Sequence, residues 1–335
     1  MITLYCHSSL ETWSPESLKS GIGGSEQAVI YLTKALGKHQ EVQVFNSVEK
    51  KKDNYTPYFD ISSVTETDFL VVWRSPEHIL DLKHIVRKKT VLWLHDLLKE
   101  IEILPYLYFY DTIVVGSLFH RNQYPNIPDN KIMIVPLGID LSSINNVSNQ
   151  ERNPWKLCYF SAYDRGLRVL LEDWTKLKLQ FPRLELVVGY GWETLDKLAK
   201  DRRAFDFFKG YMENLFDQVG VNHLGRVSQE EVLRHMTSSQ LLAYPCIWPE
   251  TSCLVAAQAQ ACGAVPVTTP LAALDETVQF GYKATTEPVW YEKVIEALTH
   301  PDDVEAIRLM MIPSTKKRLS WESIAETWQN SILTV

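Results

Sequence analysis

The chain has 335 residues, of which 45% are hydrophobic and 22% charged, with a formal net charge of −7 and a pI near 5.8. That length exceeds one ordinary core and suits two domains, while the composition excludes a disordered or fibrous protein. The acidic balance gives no overall basic field for nucleic acid, and the runs Lys50–Lys52, Arg87–Lys89 and Lys316–Arg318 read as solvated surface.

From the start, "MITLYCHSS" runs straight into a strand pattern, with no basic and apolar leader, and no apolar run reaches the ~20 residues a bilayer span needs. Strands are expected at Ile2–His7, Glu41–Phe45, Phe69–Trp73, Thr90–His95, Thr112–Gly116 and Lys131–Val135. Between them lie helical patterns such as Ser25–Leu36, with Ala28, Val29, Leu32, Ala35 and Leu36 on one face. "LSSINNVSNQERNP", Leu141 to Pro154, is polar and reads as a linker. The alternation then restarts, with strands at Leu157–Phe160, Glu185–Gly189, Val221–Leu224, Leu241–Tyr244 and Val265–Thr268. Helices are expected at Leu167–Lys178, Gln229–Met236 and Ser252–Ala261. Such a βα rhythm predicts parallel sheets covered by helices, an α/β protein of two doubly wound domains. Ligands bind beyond the carboxyl ends of such strands, and the cleft between two facing domains is the expected site. The five cysteines are odd in number and lack ligand spacing, so reduced thiols and a cytoplasmic setting are expected.

Two stretches carry chemistry. In "ETWSPESLKSGIGGSEQAVIYL", Gly23 and Gly24 stand just before a helix, where backbone N–H groups and the helix dipole favour an anion. The spacing is not that of a dinucleotide fingerprint, and a plain flexible loop is the other reading. In "CIWPETSC" a strand ends at Cys246, turns at Pro249 and enters a helix that Thr251 or Ser252 would cap. Glu250 stands just outside that helix, and Gln258 lies roughly 12 Å along it at ~1.5 Å per residue. The two could hold opposite ends of a nucleoside diphosphate sugar, with its pyrophosphate over the amides of Thr251, Ser252, Cys253 and Leu254; alternatively Glu250 merely caps the helix.

"PETSCLVAAQAQACGAVPV" resembles the signature of retaining glycosyltransferases of the GT-B fold, group 1 or family 4, in which Pro-Glu, seven residues and a second Glu precede a small-residue run and a strand. The resemblance implies transfer of a sugar from a nucleotide sugar to an acceptor hydroxyl with retained anomeric configuration. It gives Glu250 the donor sugar's hydroxyls and puts Gln258 where the second acid binds the ribose. An amide offers one acceptor oxygen where a carboxylate offers two, which implies a loss on the order of 1–2 kcal/mol. "SAYDRGLRVLL" is similar to the segment that neutralises the diphosphate, pointing to Arg165, with Ser161–Ala162 in place of an earlier Arg. "HLGRVSQEEVLRHM" resembles the segment that meets the base, pointing to Val227 with Arg226 nearby; "VVGYG" resembles the glycine turn that ends the second strand of the nucleotide domain, and "LDETV" a later acidic element at Glu276 whose preceding glycines are here Ala272 and Ala273. "VLWLHD" resembles the strand that ends beside the reaction centre, which implies His95 as catalytic and Asp96 on the acceptor side; a structural hydrogen bond is the other reading of His95. "VPLGID" resembles the motif before the hinge, and "RLSWESIAETWQNSIL" the C-terminal helix that crosses back, with Trp321 and Trp328 packing.

The implied organisation is an acceptor-side domain over 1–145, a donor-side domain over 146–315 and a returning helix over 316–335. No metal or other cofactor is expected, because no DxD pair stands at a strand end; the nucleotide-diphosphate sugar is a co-substrate. The acceptor is a glycan, lipid, protein or small molecule, and neither nucleic acid nor a transmembrane segment is expected. Gln258 and the missing Arg leave a second reading open: a catalytically degenerate homologue that binds nucleotide or a partner protein.

Overall fold

The computed structural model describes residues 1–7 and 9–334, and these form two compact units. Unit 1 comprises Met1–Ser17, Ile22–Gly138 and Leu319–Val335; unit 2 comprises Leu18–Gly21 and Ile139–Arg318.

Unit 1 holds a seven-stranded parallel sheet of β1 (Ile2–Tyr5), β2 (Val42–Asn46), β3 (Tyr55–Pro57), β4 (Glu66–Trp73), β5 (Val86–Trp93), β6 (Thr112–Val115) and β7 (Ile132–Ile134), in the order 3-2-1-4-5-6-7. Its central strands are β-branched and aromatic runs buried on both faces, as helix-covered parallel strands must be. Helix Gly24–Leu36 and the C-terminal helix Trp321–Thr327 pack together in this unit. A Cβ on Gly138 would stand 2.5 Å from the Trp321 indole, so this glycine makes room for the ring. Trp328 follows, its ring centroid 5.1 Å from that of Trp93 in an edge-on pair.

Unit 2 holds a six-stranded parallel sheet of β8 (Asn153–Tyr159), β9 (Glu185–Gly189), β10 (Val221–Gly225), β11 (Ser239–Tyr244), β12 (Val265–Thr268) and β13 (Tyr282–Lys283), in the order 10-9-8-11-12-13. Each sheet is doubly wound, and the direction of winding reverses between β1 and β4 in the first and between β8 and β11 in the second. These reversals are where such sheets leave a crevice at their carboxyl edge. The expected strands are all present, and the two short ones absent from the expectation, β3 and β13, lie at sheet edges.

The stretch taken for a linker contains helix Leu141–Asn146, and β8 begins at Asn153. The residue just before the stretch, Asp140, is the N-cap: it accepts from the Ser143 backbone N–H at 3.0 Å and from both the Ser142 and Ser143 hydroxyls. All five cysteines are free and buried. Among the described residues, no helix is long and apolar enough to cross a membrane.

Candidate functional site

β8 and β11 are neighbours, with Leu157 opposite Leu241, so the segments that follow them emerge side by side. The first carries Arg165 and the second Glu250. Nη1 of Arg165 donates to both carboxylate oxygens of Glu250, at 2.8 and 2.9 Å. The Tyr244 hydroxyl, at the end of β11, donates to Oε1 at 2.7 Å and lies 3.1 Å from the Ser161 hydroxyl. Glu250 is only 7% exposed, so the carboxylate is held in place from two sides. Burial opposes the Arg165 charge, but Glu250 outweighs it and holds the guanidinium above its ordinary pKa. Burial, and then Glu250, push the Tyr244 phenol well up, so it stays a donor at every physiological pH. The Arg165 guanidinium also lies 5.5 Å from the centroid of the Trp248 ring.

The backbone explains the spacing. Gly166 has φ +118°, and a Cβ there would lie 2.0 Å from the Pro245 carbonyl oxygen. Only glycine lets the β8 segment approach the β11 segment this closely, which sets Arg165 against Glu250. Ile247 N–H donates to the Arg165 carbonyl at 3.3 Å, and Ala273 N–H donates to the Glu250 carbonyl at 3.1 Å. The residue before it, Ala272, has φ +54° and ψ −136°, a conformation that disfavours a side chain.

The helix after Glu250 runs Leu254–Cys262. Cys253 is its N-cap and no side-chain hydrogen bond caps it, which corrects the expected cap at Thr251 or Ser252. Those two residues are half-buried in the turn before it. The N-cap residue therefore offers the first-turn amides no hydroxyl or carboxylate of its own. Gln258 sits in the middle of this helix, 6% exposed. At the end of β10, Arg226 donates from Nε and Nη2 to the Gly21 carbonyl at 3.2 and 2.9 Å, and Gly21 lies tight against the Val227 carbonyl. Glu276 is exposed on the short helix Ala273–Thr277.

Gly23, Gly24, His95 and Asp96 belong to unit 1. Gly23 is the N-cap of helix Gly24–Leu36 and carries no side-chain cap. His95 stands two residues beyond β5, packed against Trp93 and Trp73 at ring distances of 4.6 and 5.8 Å. Burial, reinforced by Arg74, pushes its pKa down to about 3, so the ring is neutral at physiological pH. Asp96 accepts from Nε and Nη2 of Arg74, at 2.5 and 2.7 Å. Burial opposes its ionisation, but Arg74 wins and keeps the carboxyl below its usual value.

The structure thus brings Arg165, Glu250 and the start of helix Leu254–Cys262 together in unit 2, and His95 with Asp96 in unit 1. Tyr244, Arg74 and Glu26 carry no motif signal. Tyr244 looks like one more apolar strand residue, and the hint for the others is a charge beside an apolar run, in "FLVVWR" and in "SEQAVIYL".

Residues 143–307 match the family described as glycosyl transferases group 1. No curated protein sequence matches the chain. Among solved structures it is similar to HepE of Anabaena in complex with UDP-glucose, at 13% identity and TM-score 0.73 over 100% of this chain and 99% of that one. It is also similar to the sucrose-phosphate synthase of Thermosynechococcus elongatus, at 14% identity and TM-score 0.72 over 98% and 97% of the two chains. A third is a glycosyltransferase from Rickettsia africae, at 12% identity and TM-score 0.69 over 97% and 96%. At these identities the structural likeness establishes the fold, GT-B.

Proposed function

We propose, from the premise that this chain is a group 1 glycosyltransferase, that it moves a sugar from a nucleoside-diphosphate donor to an acceptor hydroxyl with retained anomeric configuration. The observation that carries the reading is the Arg165–Glu250–Tyr244 cluster, placed where the second sheet reverses its winding and beside the start of helix Leu254–Cys262. That the similar HepE structure holds UDP-glucose supports a nucleotide sugar as the donor.

In this mechanism Arg165 and the first amides of helix Leu254–Cys262 stabilise the charge that develops on the departing diphosphate. Glu250, fixed by Arg165 and Tyr244, holds the donor sugar's hydroxyls against oxocarbenium-like charge at the anomeric carbon. The bond from that carbon to the phosphate oxygen breaks while the bond to the acceptor oxygen forms on the same face. The acceptor's proton passes to the departing phosphate, so positioning and electrostatics supply most of the rate. Gln258, Arg226 and Val227 serve the nucleoside, and His95 and Asp96 serve the sugar-accepting side. Five buried thiols suit a reducing, cytoplasmic setting.

The test is a panel of UDP-, GDP- and ADP-hexoses, read by thermal shift and by hydrolysis without acceptor. One nucleotide class is expected to stabilise the chain and to be hydrolysed slowly, with hydrolysis reduced at least a hundredfold in Glu250→Gln. If no donor binds or turns over, the reading fails.

A further inference from the structure

At the carboxyl edge of the first sheet, where β1 and β4 part, Arg74 has a left-handed backbone, φ +68°. Left-handed backbone strains any residue with a Cβ and persists where the surroundings hold it. Here Asp96 grips the guanidinium with both oxygens, and Glu26, from the first turn of helix Gly24–Leu36, lies 3.6 Å from Nη1. Arg74 also lies over the Trp73 ring, 4.9 Å from its centroid. The cluster is part-buried, yet the Asp96 side chain is 44% exposed. Each Asp96 oxygen accepts one bond from Arg74 and has a further lone-pair direction, the pattern that receives two neighbouring hydroxyls.

We propose that Arg74 is the positioning residue of an acceptor site built on Asp96, and that this site takes an uncharged polyhydroxylic acceptor, a sugar or glycoside, and disfavours one bearing phosphate or carboxylate there. The inference rests on the glycosyl-transfer reading and names its acceptor class.

The charge balance supports it. Asp96 neutralises Arg74, and neither Glu26 nor Glu11, which together with Asp96 crowd one another, adds positive charge in either protonation state. His95 and His120 flank Asp96, and burial drives their pKa values down to about 3 and about 4, so both are neutral at physiological pH. His7 and His78 face each other at 3.1 Å, where one ring nitrogen must accept, and burial and His7 lower the His78 pKa. An anionic acceptor would thus meet the carboxylates of Asp96 and Glu26 and an Arg74 already paired with them, whereas hydroxyls meet a fixed, ionised acceptor group.

The experiment uses the full chain and the donor found hydrolysed in the panel above. Methyl glucoside, methyl mannoside and methyl galactoside are each compared with the corresponding hexose 6-phosphate and uronic acid. A neutral glycoside is expected to be used with kcat/KM at least tenfold above its anionic counterparts. Equal or better use of the anionic compounds, or donor hydrolysis with every neutral glycoside inert, overturns the inference and leaves glycosyl transfer standing; failure of donor binding sinks that reading instead. Arg74→Gln is expected to raise acceptor KM at least tenfold with little change in kcat, and Arg74→Lys to recover part of the loss. An unaltered acceptor KM in folded Arg74→Gln removes the positioning role.

Discussion

Truncating Glu250 does two things at once, because its carboxylate is both the proposed grip on the donor sugar and the partner of Arg165. Glu250→Ala leaves a mostly buried guanidinium without its acid. With the Arg165 side chain 33% exposed, water offsets part of that loss, and a stability cost of roughly 1–3 kcal/mol is expected in denaturant melts. Glu250→Gln keeps the shape and one acceptor oxygen for Arg165, so its stability loss is expected to be smaller than that of Glu250→Ala. Tyr244→Phe is expected to lower kcat several-fold without removing the ion pair, which single-turnover kinetics would resolve. Gln258→Glu is expected to keep or tighten donor affinity, and calorimetry showing a large loss would assign Gln258 another task. Ala272 offers a test in the opposite direction. Its φ of +54° suits glycine, so Ala272→Gly is expected to stabilise the chain by about 1 kcal/mol; a lowered midpoint would show that the strain is not felt. Arg165 and Glu250 were legible in the sequence because their chemistry sits in short local motifs. Arg74 was not, since its partners Glu26 and Asp96 are 48 and 22 residues away and only the sheet order brings them near.

Elements were legible to the extent that one strong pattern ran through them. Apolar runs such as Phe69–Trp73 and Leu241–Tyr244 announced central strands, since both faces are buried there. β3 and β13 have three and two residues, too few to display a period. The polar stretch after Asp140 shows the limit of composition: Ser, Asn and Asp occur at caps as well as in loops, and Asp140 starts a short helix inside it. The same limit applied at Leu254, where hydroxyls were present in the preceding turn but the N-cap fell to Cys253. Helix packing in unit 1 gives a prediction at this scale. Gly138→Ala would drive a methyl group into Trp321, and an overpacking cost of about 1–3 kcal/mol is expected in thermal or denaturant unfolding.

At the scale of the whole molecule, the buried neutral histidines set a pH limit. His95 and His120 resist protonation in the folded chain, with pKa values near 3 and 4, but take a proton near 6.5 once unfolded. The unfolded chain therefore binds more protons between those limits, and stability falls as pH drops from 6.5 towards 4, by about 3 kcal/mol for His120 alone. A melting midpoint that declines over this window, with a flatter decline in His120→Gln, is the expected result. A flat profile in the parent chain would show that these rings are solvated. The sequence by itself determined the class of fold, the alternation of strands and helices, and the resemblance of its second half to group 1 glycosyltransferases. These follow from local periodicity and short motifs, which neighbouring residues carry together. Only the tertiary structure decided that Arg165 lies on Glu250, that Tyr244 and Ser161 back them, and that Arg74 grips Asp96. Those contacts join residues far apart in the chain, and the order of strands in a sheet, which no local pattern encodes, is what places them within reach of a hydrogen bond.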